Sequence, residues 1–96
     1  MQNFSFEWNA EKNILNISKH GVSFSEAATA FDDKNAIYLP DDEHSEYEER
    51  FVVIGFSVNL RLLVVCHCYK ESDSVIRIIS ARKANKTEIE LYGGVK

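Results

Sequence analysis

The sequence predicts an α+β fold in the order β-α-α-β-β-β-β-α, with an antiparallel-rich sheet and its helices packed on one face. Three observations carry this expectation. Near the start, a strand-like alternation at Phe4, Phe6 and Trp8 gives way at once to two helix-start signals. In the middle, three apolar runs follow one another across short turns, the layout of an antiparallel meander. Near the end, Asn85-Lys86-Thr87-Glu88 has the spacing of a capping box.

Taken in order, Ser5 and Glu7 alternate with the first three aromatics, as in a half-buried strand. Asn9 is placed to cap a helix with Glu11 in its first turn, Ile14, Leu15 and Ile17 as its apolar face, and Gly21 as its stop. Ser23-Phe24-Ser25-Glu26 starts a second helix, stapled by Val22 against Ala27 and running to about Phe31. A short strand follows at Ala36–Pro40. The run Arg50–Phe56, a turn at Ser57-Val58-Asn59, Arg61–Tyr69, a turn at Glu71–Ser74 and Val75–Ala81 make the meander. Gly93-Gly94 ends the last helix. Alternation puts Val52, Ile54, Leu62, Val64, Ile76 and Ile78 in one buried row. It also groups Arg77 with Ile79 and Ala81, leaving Ser80 and Arg82 to face the other way.

Ninety-six residues, 45% of them hydrophobic, suffice for one core and are too few for two, so one domain over residues 1–96 is expected. The longest apolar run, Leu62–Cys66, is strand-sized and far short of the ~20 residues a membrane-spanning helix needs. Met1-Gln2-Asn3-Phe4 lacks the layout of a secretory signal, which leaves the cytoplasm as the expected location. Cys66 and Cys68 flank His67 in one strand. Their thiols share a face and His67 takes the other, which suits a packed row better than a disulfide or zinc site.

Net charge is −4, which by itself argues against a nucleic-acid partner. The acidity is local, however. Asp41–Glu49 holds six acids and no Lys or Arg, so the remaining nine acids face eleven bases, about +2. That segment reads either as a solvated connector or as an acidic loop lying across a basic face. The basic residues interrupt apolar strands: Arg50 and Arg61 open two of them, Arg77 sits inside Val-Ile-Arg-Ile-Ile, and Arg82 and Lys83 follow. A mid-strand arginine is solvated or matched to an anion, because burying it unpaired is costly. Singly, each has a simpler role: a cross-strand acid pairs Arg77, Glu48 or Glu49 balances Arg50, and Arg61 guards a sheet edge. Together they make an anion surface, and a planar guanidinium fits phosphate bidentately. Lys19-His20-Gly21 closes the first helix; its cations complement the helix C-terminus, and His20 is also a side chain suited to proton transfer.

Trp8, Lys12, Asn16, Lys19-His20-Gly21, Phe24, Ala27 and Phe31-Asp32, with Arg50, Gly55, Arg77-Ile78-Ile79-Ser80-Ala81-Arg82, Ala84 and Glu88, resemble the signature of the BrnT toxins from about Phe6 to Tyr92. The resemblance implies a RelE-like fold and an RNA-cleaving, translation-inhibiting toxin of a type II toxin–antitoxin system. It further implies a BrnA-type ribbon-helix-helix antitoxin that neutralises the toxin and represses their operon, so that operator DNA is met only through the antitoxin. The alternative is an inactive module that only docks such a partner. RNA cleavage without a metal or cofactor uses the 2′-hydroxyl as nucleophile and needs proton transfer and positive charge around the phosphate. Arg77, Arg82, Arg50, Lys19 and His20 are the candidate catalytic residues, and Lys12, Arg61 and Lys83 candidate phosphate contacts. Glu88 and Tyr92 flank the same rim, with capping and packing as their simpler roles.

Overall fold

The computed structural model describes residues 4–94. The expectation drawn from Met1-Gln2-Asn3 lies outside them. Five strands form one sheet: β1 (Ser5–Glu7), β2 (Ile37–Pro40), β3 (Phe51–Phe56), β4 (Leu62–Lys70) and β5 (Val75–Lys83). Their spatial order is β1-β5-β4-β3-β2. The meander β3-β4-β5 is antiparallel, β2 joins β3 antiparallel, and β1 pairs parallel with β5. The order of elements is the one the sequence predicts.

Helix α1 (Ala10–His20) starts where Asn9 Oδ1 accepts from the Lys12 N–H at 2.9 Å. It stops at Gly21, whose φ of 70° closes the cap with its N–H on Ile17 O. Helix α2 (Phe24–Thr29) is capped by Ser23 and runs on as a 3-10 turn, Ala30–Asp32. Helix α3 (Lys86–Ile89) carries the predicted capping box, with the Asn85 side chain on the Glu88 N–H and the Glu88 carboxylate on the Asn85 N–H. It widens into Glu90–Gly94, where Gly93 takes a φ of 101°.

Helices α1 and α2 cover one face of the sheet. The core between them holds Val22, Phe24, Ala27 and Ala30 against Val53, Leu63, Val65, Ile76, Ile78 and Ala81. Burying each larger side chain contributes about 1.5–3 kcal/mol. Gly55 lies where this layer is thinnest. A Cβ there would sit 2.8 Å from Ala30 O, so only glycine lets the 3-10 turn approach β3.

Four expectations change. Val53, Leu63 and Val65 face the helices, so the predicted row is displaced by one residue in β3 and β4, while Ile76 and Ile78 are placed as expected. Ile54 and Val64 are also buried, but on the opposite face. That second burial is why alternation could not choose between the faces. In β5 the register slips between Cys66/His67 and Ser80/Ile78, leaving Ile79 as an extra residue. The bulge turns Ala81 into the core with Ile76 and Ile78, and puts Ser80 and Arg82 on the open face. In α1, Ile14, Leu15 and Ile17 point outward, 64%, 66% and 44% exposed. Its buried side chain is Asn16, which donates to Val22 O and Ala81 O and accepts from the Ala81 N–H, at 2.8, 2.8 and 3.1 Å. Lastly, the C-terminal turn crosses to the open face, where Tyr92 stacks edge-on against Phe56 and Leu91 lines a hollow together with Ile54. The one-face arrangement therefore holds for α1 and α2 only.

Candidate functional site

The open face of the sheet carries the interrupting arginines. Arg50, Arg82 and Ser80 line a hollow of about 430 Å³ floored by Val52, Ile54, Val64 and Cys66 and walled by Asp41, Glu43, His44, Glu88 and Leu91. Arg77 is on the same face, roughly 15 Å further along β5 by strand rise, next to Cys68 and paired with Glu7 of β1 at 2.6 Å. The acidic segment does lie across basic residues.

Every one of these arginines meets a carboxylate. Arg82 makes a two-pronged pair with Glu88, at 2.8 and 2.7 Å, the geometry in which a guanidinium also grips a phosphate. Arg82 holds the Glu88 carboxyl below its usual range. Arg50 is held more loosely, 3.5 Å from Glu48, and its Nε is sealed from solvent without a partner among the described residues. Glu48 is bound more closely by Lys70 at 3.0 Å, and that ammonium is the main cause of its lowered pKa. An arginine so weakly tethered is the readiest on this face to turn toward a new anion, since an unmet buried donor costs about 1–3 kcal/mol.

The acidic wall is built rather than loose at its base. The Asp41 N–H donates to Arg50 O at 2.8 Å, and Ser45 Oγ donates to Asp41 O while accepting from the Arg50 N–H. A 3-10 turn, Asp42–His44, follows and brings His44 Nδ1 onto both oxygens of Asp41, at 3.1 and 3.0 Å. Beneath them the Cys66 thiol donates to Asp41 Oδ2 at 3.5 Å. Burial and the Asp41 carboxylate push that thiol up to about 12, so it stays protonated and is no nucleophile. Donor atoms of Asp41, Glu43 and His44 lie within 4.8 Å of one another, close enough for a cation, yet Asp41 and His44 already satisfy each other.

The remaining candidates sit elsewhere. Lys12, Lys19 and His20 belong to α1, on the other side of the sheet. Arg61 also serves that side: it binds Glu26 at 2.5 and 2.9 Å and Gly21 O at 2.9 Å, with Ser57 completing the cluster. Arg61, more than any other group, holds Glu26 down to about 2. Lys83 is exposed at the end of β5. Tyr92 donates to Asp33 Oδ2 at 2.5 Å and is raised to about 12 by burial and by that carboxylate. His67 is fully buried beside Phe31, Phe51 and Tyr69, and burial lowers its pKa. The structure thus brings together Arg50 and Arg82, sets Arg77 nearby, and separates Lys12, Lys19, His20 and Arg61 from them. Sequence reasoning gave His44 no catalytic or phosphate-binding role. The Asp-x-x-His spacing of Asp41 and His44, one tight turn apart, was the available signal.

Comparison with known proteins bears on this surface. A crystal structure of the Brucella abortus ribonuclease toxin BrnT matches with a TM-score of 0.66 at 22% identity, covering 86% of this chain and 99% of that one. At that identity the likeness concerns the fold. No curated protein sequence matches significantly. The family model described as ribonuclease toxin, BrnT, of type II toxin-antitoxin system matches residues 8–88, nearly the whole chain and both arginine-bearing segments of the open face. The chain belongs to the BrnT family of ribonuclease toxins of type II toxin–antitoxin systems.

Proposed function

We propose that this chain cleaves RNA on the open face of its sheet without a metal ion, with Arg50 and Arg82 binding the scissile phosphate and Arg77 engaging the neighbouring backbone. The observation that carries this reading is the convergence of Arg50 and Arg82 in one hollow, Arg82 already gripping a carboxylate as it would a phosphate. Attack of a 2′-hydroxyl concentrates negative charge on the phosphoryl oxygens. Fixed guanidinium groups around them lower that barrier without reorganising. At rest, Glu88, Glu48 and Glu7 occupy the arginines, so RNA must displace carboxylates to bind.

As a toxin of a type II pair it has an antitoxin partner and an RNA target. In our reading the antitoxin is of the BrnA type, a ribbon-helix-helix protein through which alone the toxin meets operator DNA. The chain folds as one RelE-like domain over residues 1–96 and acts in the cytoplasm; among the described residues no helix is long and apolar enough to cross a membrane. Lys19, His20, Lys12, Arg61 and Lys83 then have supporting rather than reacting roles, Arg61 by tying the β3–β4 hairpin to α2.

The resting neutralisation of every open-face arginine favours a second reading, a module that docks its partner but does not cut. Incubating purified protein with single-stranded RNA in EDTA separates the two. Cleavage that disappears in folded Arg82→Ala supports the enzyme; intact RNA with normal antitoxin binding supports the module.

A further inference from the structure

We infer that His44, oriented by Asp41, is the group that takes the 2′-hydroxyl proton during cleavage, an inference resting on the open-face site proposed above. His44 lines the same hollow as Arg50 and Arg82, so the proposed base stands beside the proposed phosphate site and on the same side of the sheet. Its side chain is 59% exposed while that of Asp41 is 16% exposed, which leaves the imidazole open to a substrate and its partner shielded. Two carboxylate contacts on Nδ1 fix the ring and its tautomer, with the proton on Nδ1 and the Nε2 lone pair free. Asp41 is in turn tied to the backbone of Arg50 by its N–H on Arg50 O and to β4 by the Cys66 thiol. A nucleophile, a base and a group that orients the base form a recurrent catalytic arrangement; here the RNA brings the nucleophile.

In the proposed step Nε2 accepts the 2′-hydroxyl proton as the 2′-oxygen bonds to phosphorus, and the bond from phosphorus to the 5′-oxygen breaks. The departing oxygen takes a proton from a water molecule, and the imidazolium returns its proton to the hydroxide so formed. The products are a 2′,3′-cyclic phosphate and a 5′-hydroxyl, with no proton gained or lost. The titratable and charged groups that line the hollow with His44 are Asp41, Glu43, Arg50, Cys66, Arg82 and Glu88. Of these Asp41 alone is bonded to the ring.

The test is cleavage of a mixed-sequence single-stranded RNA in EDTA by the wild-type chain, His44→Ala, His44→Gln and Asp41→Asn, with affinity for an all-2′-deoxy analogue measured alongside. His44→Ala should lose about 10²–10³-fold in kcat, bind the analogue within a few-fold of wild type, and regain rate on addition of free imidazole. His44→Gln should be equally slow and should not be rescued, because its side chain fills the space. Asp41→Asn should lose roughly 10-fold in kcat. Wild-type cleavage by His44→Ala overturns the role of His44 while leaving the arginine site standing, and so does loss of rate that tracks loss of affinity without imidazole rescue. A wild-type rate that needs a divalent cation overturns it as well. RNA left intact by the wild type overturns both readings.

Discussion

Arg82 and Arg50 differ in how firmly the resting protein holds them, and substitutions should report that difference. Arg82 grips Glu88 through two hydrogen bonds, whereas Arg50 has one long contact and an unmet Nε. Arg82→Ala should lower the cleavage rate about 10²–10³-fold. Arg82→Lys should recover little of it, because an ammonium cannot reproduce the planar fork. Single-turnover assays on folded protein check both. Asn16 offers a contrasting residue-scale prediction, on stability. Its amide serves three backbone groups between α1 and β5 inside a buried contact. Asn16→Ala leaves them unmet and should cost about 2–3 kcal/mol, read as a Tm lowered by roughly 8–24 °C for a domain this size. At this scale the sequence was partly legible. The interrupting arginines marked the open face. Asn16 was visible only as a member of the family signature, since nothing local says that a helix will turn an amide inward and its isoleucines outward.

Elements are where sequence periodicity succeeds and fails for identifiable reasons. Asn9, Ser23 and Asn85 announce their helices because capping is decided within four residues. The faces of β3 and β4 were not legible, because Phe51–Phe56 and Leu62–Cys66 are apolar on both sides. A bulge at Ile79 leaves no mark in Ile-Ile-Ser-Ala. Two predictions belong here. Glu26 joins α2 to the start of β4 through Arg61, and its folded pKa of about 2 lies below the usual 4.5. A depressed folded pKa means stability that is present above the unfolded value and lost as pH falls from there toward 2. Thermal melts should therefore fall more steeply between pH 4.5 and 2 for the wild type than for Glu26→Gln, which starts lower at neutral pH. The acidic wall supplies the second. Neutralising Asp42, Glu43 and Glu46 together spares the Asp41–His44 pair and removes charge beside Arg50 and Arg82. RNA affinity should rise several-fold at low salt and converge with wild type at high salt, as screening shortens the reach of those charges to below ~8 Å. Equal affinity at every ionic strength would mark the segment as a solvated connector.

For the whole molecule, the division of labour between the two faces of one sheet organises everything above. One face is sealed by α1 and α2 over an apolar core; the other is half-covered by the C-terminal turn and the Asp41–Glu49 segment, and holds Arg50, Arg77 and Arg82. A net charge of −4 conceals this, because six acids lie in one segment and two more, Glu7 and Glu88, sit directly on Arg77 and Arg82. Composition could reveal that the charge was segregated but not that the acidic part lies over the basic part, which depends on the hairpin geometry joining β2 to β3. Whether RNA is cut on the open face is decided by cleavage kinetics of the folded double variant Arg50→Ala, Arg82→Ala beside Lys19→Ala, His20→Ala. Loss of at least about 10³-fold in the arginine pair, at a Tm that shows it folded, is the predicted result. Undiminished cleavage by the arginine pair, with the loss found in the Lys19, His20 pair, would move the site to the helix-covered side.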